Sequence, residues 1–338
     1  MANLKGEIAS LAKDMGIDKI GFTTKERLKD APLSADLGYV LPGAKSAISL
    51  CVALDKSVIR PYLSKREQWA HDSDHKASYF KLKLVGQTLQ KLLEDKGYKS
   101  ICTLPNFDWR EGQPFMATVP DISHKCVAVA SGIGWYGWNQ LVLTPEYGAT
   151  VSLVTVVTSA ELEPDEPLEQ EDWCEKCRLC VASCPTHYLS MVDEDVTTIA
   201  GRTYIHSKRR TKTRCVACCG SAVGVNDSND KWSSWSPGVL ELPGPDADDR
   251  TFEQGVLEYA KDPKNIRLKW LINELGWGRG DHSWDRFDWS VLNELAFSCG
   301  HCMLICWPDM KDRQENLRLL RTSGRVMKNE ALLHVLTR

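Results

Sequence analysis

The sequence predicts an α+β protein in two unlike parts, and three observations carry that prediction. Through the first 160 residues, apolar side chains recur in blocks at helical and at strand spacing. A Pro- and acid-rich stretch, Glu161–Glu171, then breaks the pattern like a linker. Past it the composition changes. Of 13 cysteines, only Cys51, Cys102 and Cys126 precede the break, and the others fall between Cys174 and Cys306.

The elements follow in order. The opening segment places Leu4, Ile8, Leu11 and Met15 on one helical face. It has neither a long apolar stretch nor a twin arginine, so it reads as part of the fold and not as an address. Ala47–Leu54, bounded by Pro42-Gly43 and Asp55, reads as a buried strand. A long amphipathic helix is predicted over about Lys76–Lys96, with Phe80, Leu84, Leu89 and Leu92 or Leu93 inward and Gly97 as its stop. Val151–Val157, mostly β-branched, is the clearest strand. A loop-like stretch from about Gly220 to Trp289, with Trp232, Trp235, Trp270, Trp277, Trp284 and Trp289, interrupts the cysteine-rich part, and Lys311–Arg338 reads as a short helical end. The expected division is 1–165 for the first domain, 166–219 with 295–315 for the cysteine module, 220–294 for an insertion and candidate lid, and 316–338 for a helical tail.

At 43% hydrophobic and 26% charged, with a formal net charge of -3, the chain is not composed like a dedicated nucleic-acid or membrane binder. No run of about 18 uninterrupted apolar residues occurs, so no membrane partner is expected and the expected location is cytoplasmic. Without a secretion signal, cysteines at fixed short spacings point to metal rather than to disulfides.

Cys174-x2-Cys177-x2-Cys180-x3-Cys184-Pro185 is the strongest signal. A cubane cluster needs four thiolates at the corners of a compact tetrahedron. A C-x2-C-x2-C loop wraps three of them round one cluster, and the fourth cysteine of the run serves another. Cys299-x2-Cys302-x3-Cys306 supplies the partner group. By that reciprocity Cys174, Cys177, Cys180 and Cys306 hold one [4Fe–4S] cluster. Cys184, Cys299 and Cys302 hold a second with one further thiolate, for which Cys215, Cys218 and Cys219 are candidates. Zinc also accepts four thiolates, but its sites pair two C-x2-C knuckles, which this run does not do. The module is therefore expected to be bacterial-ferredoxin-like, built to pass electrons one at a time.

Gly132-Ile133-Gly134-Trp135-Tyr136-Gly137-Trp138-Asn139, then Leu143-Thr144-Pro145-Glu146-Tyr147-Gly148 and the Glu163-Pro164-Asp165-Glu166-Pro167 linker, resemble the cobalamin-dependent epoxyqueuosine reductases and the related reductive dehalogenases. The likeness runs over about 100–215 and 295–310. It implies a nitroreductase-like first domain that binds cobalamin base-off without a histidine on cobalt, and it assigns Cys215 to the second cluster, leaving Cys218 and Cys219 spare. No D-x-H-x-x-G pattern is present, in keeping with that ligation. Gly132, Gly134, Trp135, Tyr136, Gly137, Asn139 and Tyr147 are the expected cofactor-binding residues, the glycines giving a flat macrocycle close access to the backbone.

The chain also departs from the pattern. Thr118 stands where epoxyqueuosine reductases place a proton-donating aspartate. A hydroxyl is a poor general acid, so Asp121 and His124 are taken as substitutes. The residues after Tyr147-Gly148 are Ala149 and Thr150, not the cation that dehalogenases carry there. Asp108, Trp109, Arg110 and Glu111 read as a solvated loop. The basic run from His206 to Arg214 is expected to dock a ferredoxin- or flavodoxin-like donor or to sit in solvent, with tRNA binding disfavoured. His187 and His301, inside the cysteine loops, are expected to tune potential as neighbours and not to act as ligands. The expected function is a cobalamin- and [4Fe–4S]-dependent reductase of an unidentified small molecule. The alternatives are an epoxyqueuosine reductase acting on tRNA and an activator that reduces a partner's corrinoid.

Overall fold

The structure is a computed structural model, which describes residues 2–103, 110, 119–169, 173–219, 235, 243–261 and 298–323. At its centre four antiparallel strands lie in the order β1 (Lys19–Thr24), β2 (Ser46–Ala53), β6 (Val151–Thr158), β3 (Ser100–Cys102). Two-residue strands β4 (Trp135–Tyr136) and β5 (Val142–Leu143) pair as a small separate hairpin. Successive side chains of a strand face opposite ways. Ile48, Leu50 and Val52 pack with Val154 and Val156 beneath helices α1 (Ala2–Asp14) and α4 (Trp69–Asp95). Ala47, Cys51, Val151 and Val157 pack beneath α5 (His124–Ala130). Both faces are covered, which is why β2 and β6 read as unbroken apolar runs.

The long helix differs from its expected form at one end and on one face. It starts at Trp69, where Glu67 Oε1 accepts from the backbone N–H groups of Trp69 and Ala70 at 2.7 and 3.2 Å. Its first two turns are polar yet buried, so no apolar period announces them. The inward stripe is Ser78, Leu82, Val85, Leu89 and Leu93, whereas Phe80 and Leu84 are 44% and 61% exposed, contrary to expectation. Gly97 stops the helix at φ +86 as expected.

Beyond the linker, β7 (Leu189–Ile199) and β8 (Arg202–Arg209) form an antiparallel hairpin closed by Ala200 and Gly201, both at positive φ. The sequence reading did not include it. Ile199 and Tyr204 join the core beneath α5, so the cysteine-rich part is packed onto the first domain. The linker is strapped down too: Asp165 Oδ2 accepts from Phe22 N at 3.0 Å, and its other oxygen pairs with Lys5 at 2.6 Å. The C-terminal helix, Met310–Thr322, runs across the expected 315/316 boundary. It packs through Leu317 and Leu320 against Tyr62 and Leu63 of α3 (Lys56–Leu63), and the rest of the expected tail lies outside the described residues. Among the described residues no helix is long and apolar enough to cross a membrane.

Candidate metal centre

Two short helices, α6 (Leu179–Ala182) and the helix His301–Leu304, face one another and bring the cysteine loops together. Left-handed backbone at Lys176 (φ 51) and Arg178 (φ 59) curls the first loop, and Gly300 (φ 80) turns the second. The thiols fall into two sets. Cys180 is in electrostatic reach of Cys306, Cys174 and Cys177, and Cys306 of Cys174 and Cys177. Cys215, on α7 (Lys212–Cys219), lies close to Cys184, Cys302 and Cys299. Cys302 is also in reach of Cys180, so the sets adjoin. The spacing expects Cys174, Cys177, Cys180 and Cys306 in one set and Cys184, Cys299 and Cys302 in the other, and the resemblance implies Cys215 as the eighth. Cys218 and Cys219 are not remote: Cys219 is in hydrogen-bond contact with Cys215 and Cys299, and Cys218 with Cys299.

Burial pushes the Cys302 and Cys306 thiols each up to about 12, and crowding by neighbouring thiols adds to it. An iron cubane takes thiolates as anions and returns positive charge at their centre, which is the reversal such crowding calls for. Backbone donors already aim at sulfur: Trp138 N–H at Cys174 Sγ and Tyr188 N–H at Cys184 Sγ, both at 3.3 Å. Among the described residues, no three His, Cys, Asp or Glu side chains close on a single ion. Thiolates on a cubane stand further apart than those on one metal. His301 is fully buried with a backbone contact to Ser183, and His187 is partly buried at φ 50.

The segment expected to cradle a macrocycle packs against its own chain. A Cβ on Gly132 would run into the Glu166 carbonyl. On Gly134 it would stand 2.6 Å from Val142 Cγ1, and on Gly137 2.7 Å from Leu143 Cδ1. Trp135 lies edge-on to Tyr204 at 4.8 Å, and Tyr136 is buried against the hairpin near His206. Asn139 Nδ2 donates to the Cys302 carbonyl at 2.9 Å. Gly148, at φ +62, lets the backbone approach the second loop: a Cβ would meet the Cys306 carbonyl and stand 2.8 Å from Trp307 Cα, and Ala149 N–H donates to Cys306 O at 2.8 Å. Tyr147 is partly buried against the core beneath α5. The smallness of Gly132, Gly134 and Gly137 thus answers packing against the linker and the β4–β5 hairpin, and that of Gly148 the docking of the second cysteine loop.

Thr118, Asp108, Trp109 and Glu111 lie outside the described residues, as do the insertion's tryptophans other than Trp235, whose Nε1 donates to Tyr62 O at 2.9 Å. Arg110 is not solvated: it is 5% exposed, stacks on Tyr39 at 4.2 Å and donates to the Asp121 carbonyl at 3.0 Å. Asp121 and His124 are both buried, with Asp121 Oδ1 accepting from Ile122 N–H at 2.7 Å and His124 Nδ1 bonded to Thr155 Oγ1 at 2.9 Å.

The basic run also departs from expectation. Lys208 is exposed, but Arg214 is fully buried on Asp249 at 2.6 Å, and Arg210 is turned to Asp249 at 3.3 Å. Arg209 and Lys212 each sit 5.5 Å over the Tyr188 ring. Much of the charge that reads as solvated from the sequence is thus turned inward, with Lys208 the exposed cation of the run.

Comparison with known proteins adds to this. The epoxyqueuosine reductase of Bacillus subtilis is 32% identical over 213 residues, covering 54% of this chain and 50% of that protein. That of Listeria monocytogenes is 32% identical over 215 residues, covering 55% and 52%. Over about half of its length the chain is similar to epoxyqueuosine reductases. It spans about half the length of the curated relatives it matches. No family model matches it. A reductive dehalogenase structure, described as suggesting a mechanism for B12-dependent dehalogenation, aligns with 95% of this chain and 38% of its own at a TM-score of 0.50 and 14% identity. A catabolic reductive dehalogenase variant aligns with 97% and 35% at 0.50 and 12%. At such identity the likeness to the dehalogenases is one of fold.

Proposed function

We propose that the chain is an iron–sulfur reductase of the epoxyqueuosine reductase kind, holding two [4Fe–4S] clusters and acting on the queuosine precursor in tRNA. The observation that carries it is the convergence of eight cysteines into two thiol sets, each approached by a backbone N–H, in a chain that is 30% and 32% identical to two epoxyqueuosine reductases over 208 and 213 residues. Cys174, Cys177, Cys180 and Cys306 would hold one cluster, and Cys184, Cys215, Cys299 and Cys302 the other. Iron–sulfur clusters supply one-electron transfer at potentials that the protein sets through charge and hydrogen bonds. The relatives put tRNA ahead of the unidentified small molecule that the sequence favours, and ahead of an activator role.

Cobalamin is part of this proposal as a soluble cofactor to be tested. Gly132, Gly134, Trp135, Tyr136, Gly137, Asn139 and Tyr147 are the residues proposed to lie against it, as the resemblance implies. Asp121 and His124 are the proposed sources of the proton that a reduction consumes.

The test is complementation of a bacterium lacking its own epoxyqueuosine reductase, with queuosine in tRNA quantified, alongside iron and sulfide analysis of anaerobically purified protein. Restored queuosine supports the proposal. Protein with full iron that restores none overturns the substrate, and protein without iron overturns the reductase.

A further inference from the structure

The two thiol sets sit in different electrostatic surroundings. Beside the second set, Lys212 lies one helical turn before Cys215, on the same face of α7. Its Nζ and the Arg209 guanidinium stand 5.5 Å from the ring of Tyr188, whose own backbone N–H donates to Cys184 Sγ. Arg209 also donates to the Gln140 carbonyl at 3.4 Å, which fixes it inward. Lys125, near the start of α5, is in electrostatic reach of both cations and of Cys302, but burial and their repulsion push its ammonium well down, so it is not counted with them. The carboxylates of the neighbourhood are already engaged: Asp249 by Arg210 and Arg214, Glu253 by Thr211. Among the described residues none pairs with Arg209, Lys212 or Lys125.

Beside the first set, positive charge is offset or dispersed. Arg313 reaches Cys177 but is 3.8 Å from Glu175. Arg178 is 3.6 Å from Glu194 at the surface, and Lys176 is exposed, where water screens it. Solvent access does not separate the sets, since each has partly exposed cysteines. Hydrogen bonds do not separate the sets, because Cys184 accepts from the Tyr188 and Leu189 backbone N–H groups, while Cys174 accepts from Trp138 N–H and Cys177 from Arg313.

A thiolate-held cubane is anionic, and one-electron reduction adds a further negative charge with no proton needed. Unscreened cations nearby favour the reduced form. We infer that Arg209 and Lys212 are positioning residues that make the Cys184–Cys215–Cys299–Cys302 cluster the easier of the two to reduce, so that an electron rests there and not at the Cys174 site. The inference rests on the proposed two-cluster reading.

The experiment is an EPR-monitored redox titration, with dithionite as reductant, of anaerobically reconstituted protein. Cys177→Ala leaves only the second cluster and Cys184→Ala only the first. The second is expected to be reduced at a potential higher by at least a tenfold equilibrium shift, 59 mV for one electron. In the otherwise intact protein, Arg209→Met and Lys212→Met each lower that one midpoint, while Arg209→Lys and Lys212→Arg restore it. Equal midpoints in the single-cluster variants, or a second cluster harder to reduce than the first, overturn the inference. So do Met variants that keep their iron and leave the midpoint in place. Wild-type protein without iron would instead refute the two-cluster reading itself.

Discussion

Gly148→Ala puts the joint between the two parts of the chain under direct test. Gly148 sits at φ +62, where an L side chain costs about 1–2 kcal/mol. The added methyl also has nowhere to go: it meets the Cys306 carbonyl and stands 2.8 Å from Trp307 Cα, both backbone, which cannot swing aside as a side chain would. Overpacking of that kind costs about 1–3 kcal/mol more, so a loss of about 2–5 kcal/mol is expected unless the loop moves. If it moves, Cys306 leaves the first thiol set. Gly43→Ala is the control, since Gly43 has φ +84 and an added methyl there would meet nothing within 4 Å, so only the backbone cost applies. The assays are thermal unfolding and iron per chain after anaerobic reconstitution. Gly148→Ala should unfold well below Gly43→Ala, or should retain about half the wild-type iron. A Gly148→Ala protein with full iron and the stability of Gly43→Ala would refute the docking argument.

Cys215→Ser is expected to lose the second cluster and about half the iron, while Cys219→Ser keeps all of it, because Cys215 neighbours Cys184, Cys302 and Cys299 and Cys219 contacts only Cys215 and Cys299 among them; equal iron in the two variants would contradict that ligand assignment. His71 and His75 are buried one turn apart on α4, and burial lowers them to about 4 and about 3. The unfolded chain binds their protons from about pH 6.5 downward and the folded chain does not. Stability is therefore whole above pH 6.5 and falls toward pH 4 by up to about 1.4 kcal/mol per pH unit for each ring. Denaturant midpoints measured across that range should flatten in a His71→Gln/His75→Gln variant. Asp249→Ala strips the partner from the fully buried Arg214 guanidinium, and because Asp249 is a third exposed the loss should lie near the lower end of about 3–5 kcal/mol by urea unfolding.

The cysteine groupings were legible because cluster ligation is written in local spacing: three thiols come from one loop, and only the partner group has to be found elsewhere. Strands β2 and β6 were legible because burial on both faces leaves no polar interruption. The hairpin β7–β8 was not, since its pattern is inverted. Val192, Val196 and Ile205 point outward at 78%, 59% and 43% exposure, while His206 and Ser207 are buried. The early turns of α4 escaped for a related reason: His71, Asp72, His75 and Lys76 are buried polar groups, with Asp72 and Lys76 paired at 2.6 Å, and an apolar period cannot report them. The inward turn of Arg209 and Lys212 was equally hidden, because a run of charges in sequence does not state what lies opposite it.

The Gly132–Asn139 and Thr144–Gly148 segments carried the resemblance, and their geometry gives that likeness a mechanical meaning. Trp138 N–H binds Cys174, Asn139 binds the Cys302 carbonyl, Ala149 N–H binds the Cys306 carbonyl beside Gly148, and Tyr62 Oη donates to the Cys299 carbonyl at 2.8 Å. Residues of the first part thus hold both cysteine loops, the second of them through its backbone carbonyls, which side-chain substitutions in that loop leave in place. The return contact is as strong, since Ile199 and Tyr204 complete the core beneath α5 and Leu317 and Leu320 complete the one around Tyr62. A first domain cut at residue 165 would expose both cores, so the thiols are positioned by the whole body of the chain. Cluster sites held in that way can keep distinct charge surroundings, which a free-standing module of the same cysteines would lose.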